Sequence, residues 1–362
     1  MERKEMWLWF AKLTQEKTKI KKALIEGFGD IEKIYVADID KLVQTGGLTT
    51  NEAEYVLEKR KKFHGEEEIK KLEDLEIKFV TIEEDNYPAK LKQFKDMPEV
   101  LFYKGKLPKC HIPTVAMVGA RACSNYGRNM ARNIGKELSF NGVQIISGMA
   151  RGIDTYSQLG AIEGGTPTFA VLGCGVNICY PTENIELYDD IIDKGGGIIS
   201  EYYPGSEPLA WHFPMRNRII SALADKVAVI EAKEKSGSLI TVEWALEQGK
   251  DVYALPGRVN DSLSAGCNRL LKAGAGVLMS GQDIIEDLSG NSKSIVRLSL
   301  EGVDLDEELA VVYKYLETAP KSVQVLIEEA NLKYEVIMER LLKLQFLGVA
   351  EEIGANYYVR TK

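Results

Sequence analysis

The sequence predicts an α/β fold, in which a doubly wound, mostly parallel sheet lies between residues 113 and 288. Short apolar runs alternate there with helical patterns or loops, and this order places helices on both faces of one sheet. The fifth run, KVAVIEA at 226–232, reads as a central strand that is covered on both faces. The predicted strands are 114–119, 143–147, 168–173, 197–201, 226–232, 251–257 and 276–280.

Residues 1–65 are predicted to form a small helical module of the SAM or helix-hairpin-helix kind, because helical patterns alternate there with turn signals. A hairpin Gly-x-Gly that would bind a DNA phosphate is not clear, so a docking role is favoured over DNA binding. Residues 66–112 contain two strand patterns, at 79–82 and 100–104, which extend the sheet. The sheet domain is therefore predicted to span residues 66–288.

The remainder is predicted to be a linker at 289–305 and a winged-helix domain at 306–362. Three helical patterns, at 306–317, 323–330 and 334–347, precede a hairpin that turns at 354–356. Acidic residues outnumber basic ones in this tail, whereas a DNA-reading helix is expected to be basic. Protein contact or regulation is therefore favoured over DNA binding for the tail.

Composition limits the function classes. The net charge of −8 argues against a uniformly basic nucleic-acid binder but leaves a local basic patch open. No run of 18 apolar residues and no signal-peptide pattern is present, which predicts a cytoplasmic protein without a membrane span. The five cysteines lack metal-ligand spacing, so reduced structural roles and no metal are expected. Of the three histidines, His212 is favoured for packing or phosphate contact over catalysis.

Glycine, hydroxyl and arginine residues follow six successive predicted strands. Because the carboxyl ends of parallel strands meet at one edge of a sheet, these residues are expected to form one groove. Guanidinium groups donate a planar fork to phosphates, and a helix that opens at Ser236–Ser238 offers free N–H groups. The predicted phosphate-binding residues are Gly119, Arg121, Gly148, Arg151, Gly152, Arg216, Asn217, Arg218, Ser236, Gly237 and Ser238.

Motifs of the common nucleotide-binding enzymes are missing from these strand ends. No GxGxxG follows the first strand, the second strand lacks a terminal acid for a ribose, and GxxxxGK[ST] is absent. Aromatic residues accompany the arginines and could stack on bases, although core filling is the alternative for each ring. Phosphate contacts with stacking platforms favour single-stranded nucleic acid as the ligand. The aromatic residues are Tyr126, Tyr180, Tyr202, Tyr203, Trp211 and Phe213.

Five motifs resemble the DprA/Smf family of bacterial DNA-processing proteins: GARACSNYG (119–127), SGMARGID (147–154), FPMRNRIISAL (213–223), SGSLIT (236–241) and ALPGRVNDSLSAGCNRLLKAGA (254–275). The resemblance covers roughly residues 80–288. It implies an extended Rossmann fold that binds single-stranded DNA, forms a homodimer and loads RecA during natural transformation. It implies neither catalytic turnover nor a cofactor.

Individual positions follow from the resemblance. Gly119–Arg121 corresponds to the family's Gly-Ser-Arg motif, with Ala120 in place of serine, and Thr182 stands where some members carry a lysine. The region around Leu246 lies near the family's RecA contact. Single-strand-binding protein is a further candidate partner. Residues 266–277 match the self-association surface, which here includes Asn268, Leu271 and Val277.

An enzyme on a related scaffold, such as a nucleotide phosphoribohydrolase, is the alternative. Such enzymes use a glycine-rich helix entrance followed by a glutamate, which Ser236–Ser238 and Glu243 could imitate. A hydrolase needs an acid that faces the anion site, whereas a DNA binder needs an open groove longer than one nucleotide.

Overall fold

A sheet of nine strands, counted over the described residues, forms the centre of the first of two units. The computed structural model describes residues 2–15, 17–288, 307–317, 321–330, 332–346, 349–354 and 356–360. The two units comprise residues 1–291 and 292–362. The expected linker at 289–305 lies outside the described residues, and the expected domain boundaries stay predictions.

The sheet has the order β1-β2-β6-β5-β4-β3-β7-β8-β9. All neighbours from β6 to β9 in this order are parallel, whereas β2 pairs antiparallel with both β1 and β6. The predicted mostly parallel, doubly wound sheet is confirmed. The strands are β1 (Lys78–Thr81), β2 (Val100–Gly105), β3 (Thr114–Val118), β4 (Gln144–Ser147), β5 (Thr168–Val171), β6 (Gly197–Ser200), β7 (Lys226–Val229), β8 (Asp251–Ala254) and β9 (Gly276–Val277).

Strand β3 lies where the winding of the sheet reverses, since its two neighbours are β4 and β7. The chain builds outward from β3 to β6, returns to β7 and then builds in the other direction. Ligands of open parallel sheets bind at such a reversal, outside the carboxyl ends of the strands. The loops after β3, β4 and β7 therefore occupy the position where a site is expected.

Helices cover both faces of the sheet, as the alternation of side chains along β3 shows. Val115 and Met117 belong to a buried cluster with residues of α7, α8 and α13, whereas Ala116 and Val118 join a cluster with α10, α11 and α12. This period of two is expected for a strand buried on both faces. The helices after β2 are α7 (Asn125–Phe140), α8 (Ile153–Gly164), α9 (Ile185–Asp193), α10 (His212–Leu223), α11 (Leu239–Glu247), α12 (Ala265–Lys272) and α13 (Gln282–Leu288).

Strand β7 is shorter than the predicted strand at 226–232. It ends at Val229, although Ile230, Glu231 and Ala232 stay buried. The backbone of Glu231 accepts a hydrogen bond from the N–H of Ala120, and that of Ala232 pairs with Leu263. Burial therefore extends beyond the ladder because this segment supports the neighbouring loops.

The N-terminal helices share a buried cluster with the sheet. Trp9, Phe10 and Leu24 belong to one apolar cluster with Phe102 of β2 and Ile198 of β6, and α1 contacts β2 directly. The sixth helix was not predicted, because its first turn carries three consecutive glutamates. These helices are α1 (Arg3–Thr14), α2 (Thr18–Phe28), α3 (Ile31–Val36), α4 (Ile39–Gln44), α5 (Thr50–Lys61) and α6 (Gly65–Asp74).

A buried carboxylate connects α6 with α1 and with the loop after β6. Glu68 accepts hydrogen bonds from the ammonium groups of Lys12, at 2.6 Å, and Lys71, at 2.7 Å, and from the hydroxyl of Tyr203, at 2.5 Å. Burial alone would raise the pKa of Glu68, but these three donors outweigh it and lower that pKa to about 2. The carboxylate thus stabilises the fold in its charged form.

Replacing Glu68 by glutamine is expected to lower the free energy of unfolding by about 2 kcal/mol at neutral pH. Because the folded-state pKa lies below the ordinary value of 4.5, the stabilisation is present above 4.5 and is lost as pH falls towards 2. Urea denaturation from about pH 7 down to about pH 2.5 should show the gap between wild type and variant narrowing. Glu67→Gln, at an exposed position on the same helix, is the control; a gap that is constant with pH would contradict the assignment.

The second unit, taken by itself, contains three helices and a three-stranded sheet within its described residues. The sheet has the order β10-β12-β11, and a cluster that includes Val312, Leu326, Leu341 and Tyr358 fills its core. Residues 306 and 355, which belong to the predicted first helix and turn, lie outside the described residues. The winged-helix assignment stays a prediction. The elements are α14 (Glu307–Tyr313), β10 (Lys321–Ser322), α15 (Val323–Ala330), α16 (Tyr334–Phe346), β11 (Ala350–Gly354) and β12 (Tyr357–Arg360).

Candidate functional site

The loops after β3, β4 and β7 are in direct contact at the carboxyl edge of the sheet. The N–H of Ala120 donates to the carbonyl of Glu231 at 2.7 Å, and the N–H of Ile153 donates to the carbonyl of Ala120 at 3.2 Å. A Cβ at Gly119 would lie 2.7 Å from the side chain of Ile153. The segments that directly follow β3, β4 and β7 therefore lie against one another, as the topology requires.

Gly152 is required by this contact for two reasons. Its φ of 74° and ψ of −125° lie in a region that residues with a Cβ rarely adopt. A Cβ there would also lie 2.3 Å from the carbonyl oxygen of Ala120 and 2.5 Å from that of Arg121. Gly152 thus lets the loop after β4 press against the loop after β3.

A buried glutamate occupies the N-terminus of α7. Glu231 is 2% exposed, and its carboxylate accepts hydrogen bonds from the N–H of Ser124 at 2.8 Å and the hydroxyl of Ser124 at 2.5 Å. A Cβ at Gly127 would lie 2.3 Å from this carboxylate. In dinucleotide-binding sheets a phosphate lies at this helix end, next to the first strand. Here a carboxylate of the chain itself holds that position.

A buried pair of opposite charges lies behind the loop after β4. Asp154 accepts hydrogen bonds from the N–H groups of Gly148, at 3.1 Å, and Ala150, at 3.4 Å. Arg216 donates from Nη1 to the carbonyl of Gly148 at 2.8 Å and to that of Val171. Burial raises the pKa of Asp154 and lowers the pKa of Arg216 to about 10, while the attraction between the two charges opposes both shifts. Arg216 therefore links the ends of β4 and β5.

The proximity of Arg216 also explains Gly148. A Cβ at this position would lie 2.4 Å from Nη1 and 2.5 Å from Nη2 of the guanidinium. Because Arg216 is only 4% exposed, Gly148 makes room for an internal side chain in this structure. The phosphate contacts predicted for both residues stay predictions.

Arg218 is also internal and is 4% exposed. Its Nη2 donates to a carboxylate oxygen of Glu201, at the end of β6, at 2.5 Å. Asn217, between the two arginines, is half-buried. The three residues lie on α10, one face of which packs against the sheet. The guanidiniums of Arg216 and Arg218 are therefore not on the surface.

Arg121 lies on the surface over an aromatic row. Its guanidinium is 5.4 Å from the ring centre of Phe213, which in turn is 5.5 Å from the ring of Tyr180. Phe213 packs on Gly173, where an added Cβ would approach the ring to 3.0 Å. Trp211, two residues before Phe213 in the chain, is 46% exposed. The guanidinium of Arg121 thus lies over the half-buried ring of Phe213, and the exposed ring of Tyr180 lies beside that ring.

Arg151 lies on the neighbouring loop, since the backbone of Gly152 touches that of Arg121. Its guanidinium pairs with the carboxylate of Glu183 through two hydrogen bonds, at 2.5 and 2.7 Å. This ion pair raises the pKa of Arg151 and lowers that of Glu183, and both side chains are more than half exposed. The strand-end surface is defined here as Arg121, Arg151, Tyr180, Trp211 and Phe213.

The Ser236–Ser238 turn lies after β7 and precedes α11. The hydroxyl oxygens of Ser236 and Ser238 are 2.8 Å apart, and a Cβ at Gly237 would meet no atom within 4 Å. The N–H groups of Leu239 and Ile240 donate back to the carbonyls of Ser236 and Gly237. The turn is open to solvent at Gly237, but local bonds already use the first helical N–H groups.

The side chain of His212 is buried and packed against other side chains. Its ring is 2% exposed and stacks on Tyr202 at 3.8 Å, and its Nδ1–H donates to the carbonyl of Gly173 at 3.0 Å. Packing, one of the alternatives considered from the sequence, is what the structure shows. No group of three or more histidine, cysteine, aspartate or glutamate side chains that could hold a metal ion occurs in the described ranges.

The residues predicted to contact partner proteins come later in the sequence than the residues of the strand-end surface. Leu246, on α11, is 63% exposed, and Val277 lies on β9, at the edge of the sheet. Leu271 is half-buried on α12. The amide of Asn268 is used internally, because it exchanges two hydrogen bonds with the backbone of Gly257, at 3.1 and 3.2 Å.

Sequence reasoning missed three carboxylates of this region. Glu231 and Asp154 accept hydrogen bonds from backbone N–H groups of two turns, and Glu183 pairs with Arg151. An acid at the end of an apolar strand and an acid in the first turn of a helix were the available signals for Glu231 and Asp154.

None of the helices in the described part of the chain has the length and apolar character needed to cross a membrane.

Residues 78–289 match the family model described as DNA recombination-mediator protein A. DNA processing protein DprA of Streptococcus pneumoniae is 45% identical over 207 residues, which cover 57% of this chain and 73% of that protein. Protein Smf of Escherichia coli is 38% identical over 328 residues, which cover 88% of this chain and 87% of that protein.

Two solved structures resemble the fold. The X-ray structure of DprA from Streptococcus pneumoniae superposes with a TM-score of 0.69 at 35% identity, over 79% of this chain and 99% of that one. A structure of DprA from Helicobacter pylori, described in terms of its single-stranded DNA binding mode, gives a TM-score of 0.53 at 32% identity, over 59% of this chain and 96% of that one.

Proposed function

Because the chain belongs to the DNA recombination-mediator protein A family, as the DprA/Smf resemblance implied, we propose that it binds single-stranded DNA along the strand-end surface. The observation that carries the proposal is the pair of exposed guanidiniums, Arg121 and Arg151, on two touching loops beside the rings of Phe213 and Tyr180. The single-stranded DNA binding described for the Helicobacter pylori relative supports the same ligand class.

The chemistry of the surface suits a flexible, single strand. Guanidiniums donate two parallel hydrogen bonds to phosphate oxygens, and each base stacked on an aromatic ring contributes about 1–3 kcal/mol without strong sequence preference. Arg151 is held by Glu183, but an exposed ion pair contributes only about 0–1 kcal/mol, so a phosphate can replace the carboxylate. Glu183 then acts as a competitor that keeps Arg151 oriented.

Arg216 and Arg218 have a different proposed role. Both are buried and hold the ends of β4, β5 and β6, so we assign them to positioning the loops that carry the exposed contacts. Groups at Gly119, Gly152, Asn217 and Ser236–Ser238 remain proposed contributors to the surface, whereas the backbone of Gly148 already bonds to Asp154 and Arg216. Of these, Gly237 is the most open to a phosphate.

The cellular role is proposed to be that of a non-enzymatic mediator that loads RecA onto incoming single strands during natural transformation in the cytoplasm. A homodimer through residues near Leu271 and Val277 fits the open sheet edge at β9, where Val277 is 51% exposed. A RecA contact near the exposed Leu246 and contact with single-strand-binding protein are part of the same proposal.

The phosphoribohydrolase alternative is less well supported. Glu231 already occupies the N-terminus of α7, where a nucleotide phosphate is otherwise expected. Glu243, the acid that such an enzyme would need, is exposed on α11. Release of ribose phosphate from a nucleotide by the purified protein would favour this alternative.

The joint replacement of Arg121 and Arg151 by alanine is expected to weaken binding of a dT oligomer by about 100-fold at low salt, or about tenfold for each lost contact. On a plot of log K against log salt concentration, the slope should become shallower by about 1.4, since each single-strand phosphate contact contributes about 0.7. Glu183→Gln should instead tighten binding, because it frees Arg151.

Arg132→Ala is the matched control. Arg132 is an exposed arginine that pairs with Glu163 between α7 and α8, as Arg151 pairs with Glu183, but it lies outside the strand-end surface. Fluorescence anisotropy at several salt concentrations measures all variants. A wild type without preference for single strands over duplex, or an Arg121/Arg151 variant that binds like Arg132→Ala, would overturn the proposal.

A further inference from the structure

A cavity of about 430 Å³ lies in the N-terminal helical region, between the end of α1, the start of α2 and α5. This volume is in the range of small-molecule sites in proteins. Its walls include cationic and aromatic side chains, among them Lys12, Lys17, Lys59, Lys62, Trp9 and Tyr55.

The charges in this cavity are only partly neutralised. Lys12 pairs with Glu68 at 2.6 Å, and Lys62 pairs with Glu58 at 2.5 Å. Lys17 and Lys59 instead lie 5.8 and 5.4 Å from the ring centre of Tyr55, and neither has an ion-pair partner among the described residues. Two ammonium groups near one ring repel each other, and a bound anion would reduce this repulsion.

The cavity adjoins the carboxyl edge of the sheet. Gln15, which lines it, donates to the hydroxyl of Ser206 in the loop after β6, and the ammonium of Lys12 lies 5.3 Å from the ring centre of Tyr203 in the same loop. This loop leads to Trp211 of the strand-end surface. A single strand of DNA that runs from the strand-end surface past the end of β6 would therefore reach the cavity next.

We propose that this cavity binds one nucleotide of the single strand that extends from the strand-end surface past β6, an inference that rests on the proposed function. Lys17 and Lys59 hold the phosphate, and the aromatic wall formed with Tyr55 receives the base. A nucleotide has both the charge and the flat ring that this lining matches, whereas an acidic peptide would use the lysines alone. The helical region thus lengthens the DNA path instead of serving only for docking.

The test compares Lys17→Ala/Lys59→Ala with a matched control, Lys19→Ala/Lys61→Ala, which removes two exposed lysines of the same helices outside the cavity. Binding of a dT oligomer of about 6 nucleotides, which the strand-end surface alone can hold, should be equal in both variants. Binding of an oligomer of about 20 nucleotides should fall roughly tenfold in the cavity variant only, and its salt slope should become shallower by about 1.4.

Photocrosslinking supplies a direct readout. An oligomer with 5-iododeoxyuridine at successive positions should crosslink to Tyr55 at one end of the bound strand and to Tyr180 at other positions. Crosslinks at Tyr180 without any at Tyr55, with equal long-oligomer affinity in both lysine variants, would overturn the cavity assignment and leave the proposed function intact. Failure of the wild type to bind either oligomer would refute the proposed function instead.

A free nucleotide is the other source of the same chemistry. Titration with dTMP distinguishes it: binding of dTMP that needs Lys17 and Lys59, with no effect of these lysines on the long oligomer, would identify a mononucleotide site and overturn the proposal. Weak dTMP binding together with a large effect on the long oligomer supports it.

Discussion

Replacement of Arg216 by methionine is expected to lower the free energy of unfolding by about 3–5 kcal/mol. The substitution removes the positive charge that attracts the buried carboxylate of Asp154, and it removes the donor to the carbonyls of Gly148 and Val171. Methionine fills much of the same volume, so loss of packing is a small part of the effect. Chemical denaturation followed by circular dichroism measures the change.

Arg121→Met is the matched control for this prediction. Arg121 is exposed, so its replacement should change stability by less than about 0.5 kcal/mol while weakening binding of single-stranded DNA. Arg216→Met should instead show a large loss of stability, because its role is to hold the loops that carry the exposed contacts. A stable Arg216→Met protein with reduced DNA affinity would mean that this guanidinium contacts phosphate directly, as the sequence motif had suggested.

Replacement of Glu231 by alanine is expected to cost about 2–4 kcal/mol and to create an anion site. The N–H of Ser124 loses its acceptor, and the positive end of α7 loses the negative charge that faces it. Inorganic phosphate should enter the vacated space and restore part of the lost stability. Its effect grows as RT ln(1 + [L]/Kd), which is about 2.7 kcal/mol at a phosphate concentration 100 times Kd.

Thermal denaturation with increasing phosphate, at constant ionic strength, tests this expectation. The wild type and Glu234→Ala, an exposed neighbour, should show no specific phosphate effect. Equal responses of all three proteins would show that Glu231 does not substitute for an anion. A strong stabilisation of Glu231→Ala alone would show why this sheet edge, as it stands, disfavours a nucleotide phosphate.

The mostly parallel, doubly wound character of the sheet was predictable, because each apolar run has the length and spacing of a parallel strand. Residues at the loops after β3 and β4 were correctly placed together for the same reason. The end of β7 was not predictable from burial. Glu231 is as buried as the strand before it, but its backbone bonds to the loop after β3 and not to a neighbouring strand. Helix α6 was missed because Glu66–Glu68 resemble a solvated stretch, although Glu68 is buried by long-range donors.

The arginines show the main limit of reasoning from sequence. Arg121, Arg151, Arg216 and Arg218 are chemically identical, and all follow strands that end at one edge. Which guanidinium faces solvent depends on the rotation of α10 against the sheet, a tertiary property that no local pattern contains. Glycine is ambiguous in the same way: at Gly148 its missing side chain leaves room for a guanidinium of the chain itself.

The cluster shared by the N-terminal helices and the sheet has a consequence for protein synthesis. Trp9 and Phe10 emerge from the ribosome early, but their cluster includes Ile198, which is made almost 190 residues later. Until β6 leaves the exit tunnel, these first helices carry unburied apolar surface, which favours capture by a chaperone. The second unit, residues 292–362, has its own core, so we expect it to fold without such a delay.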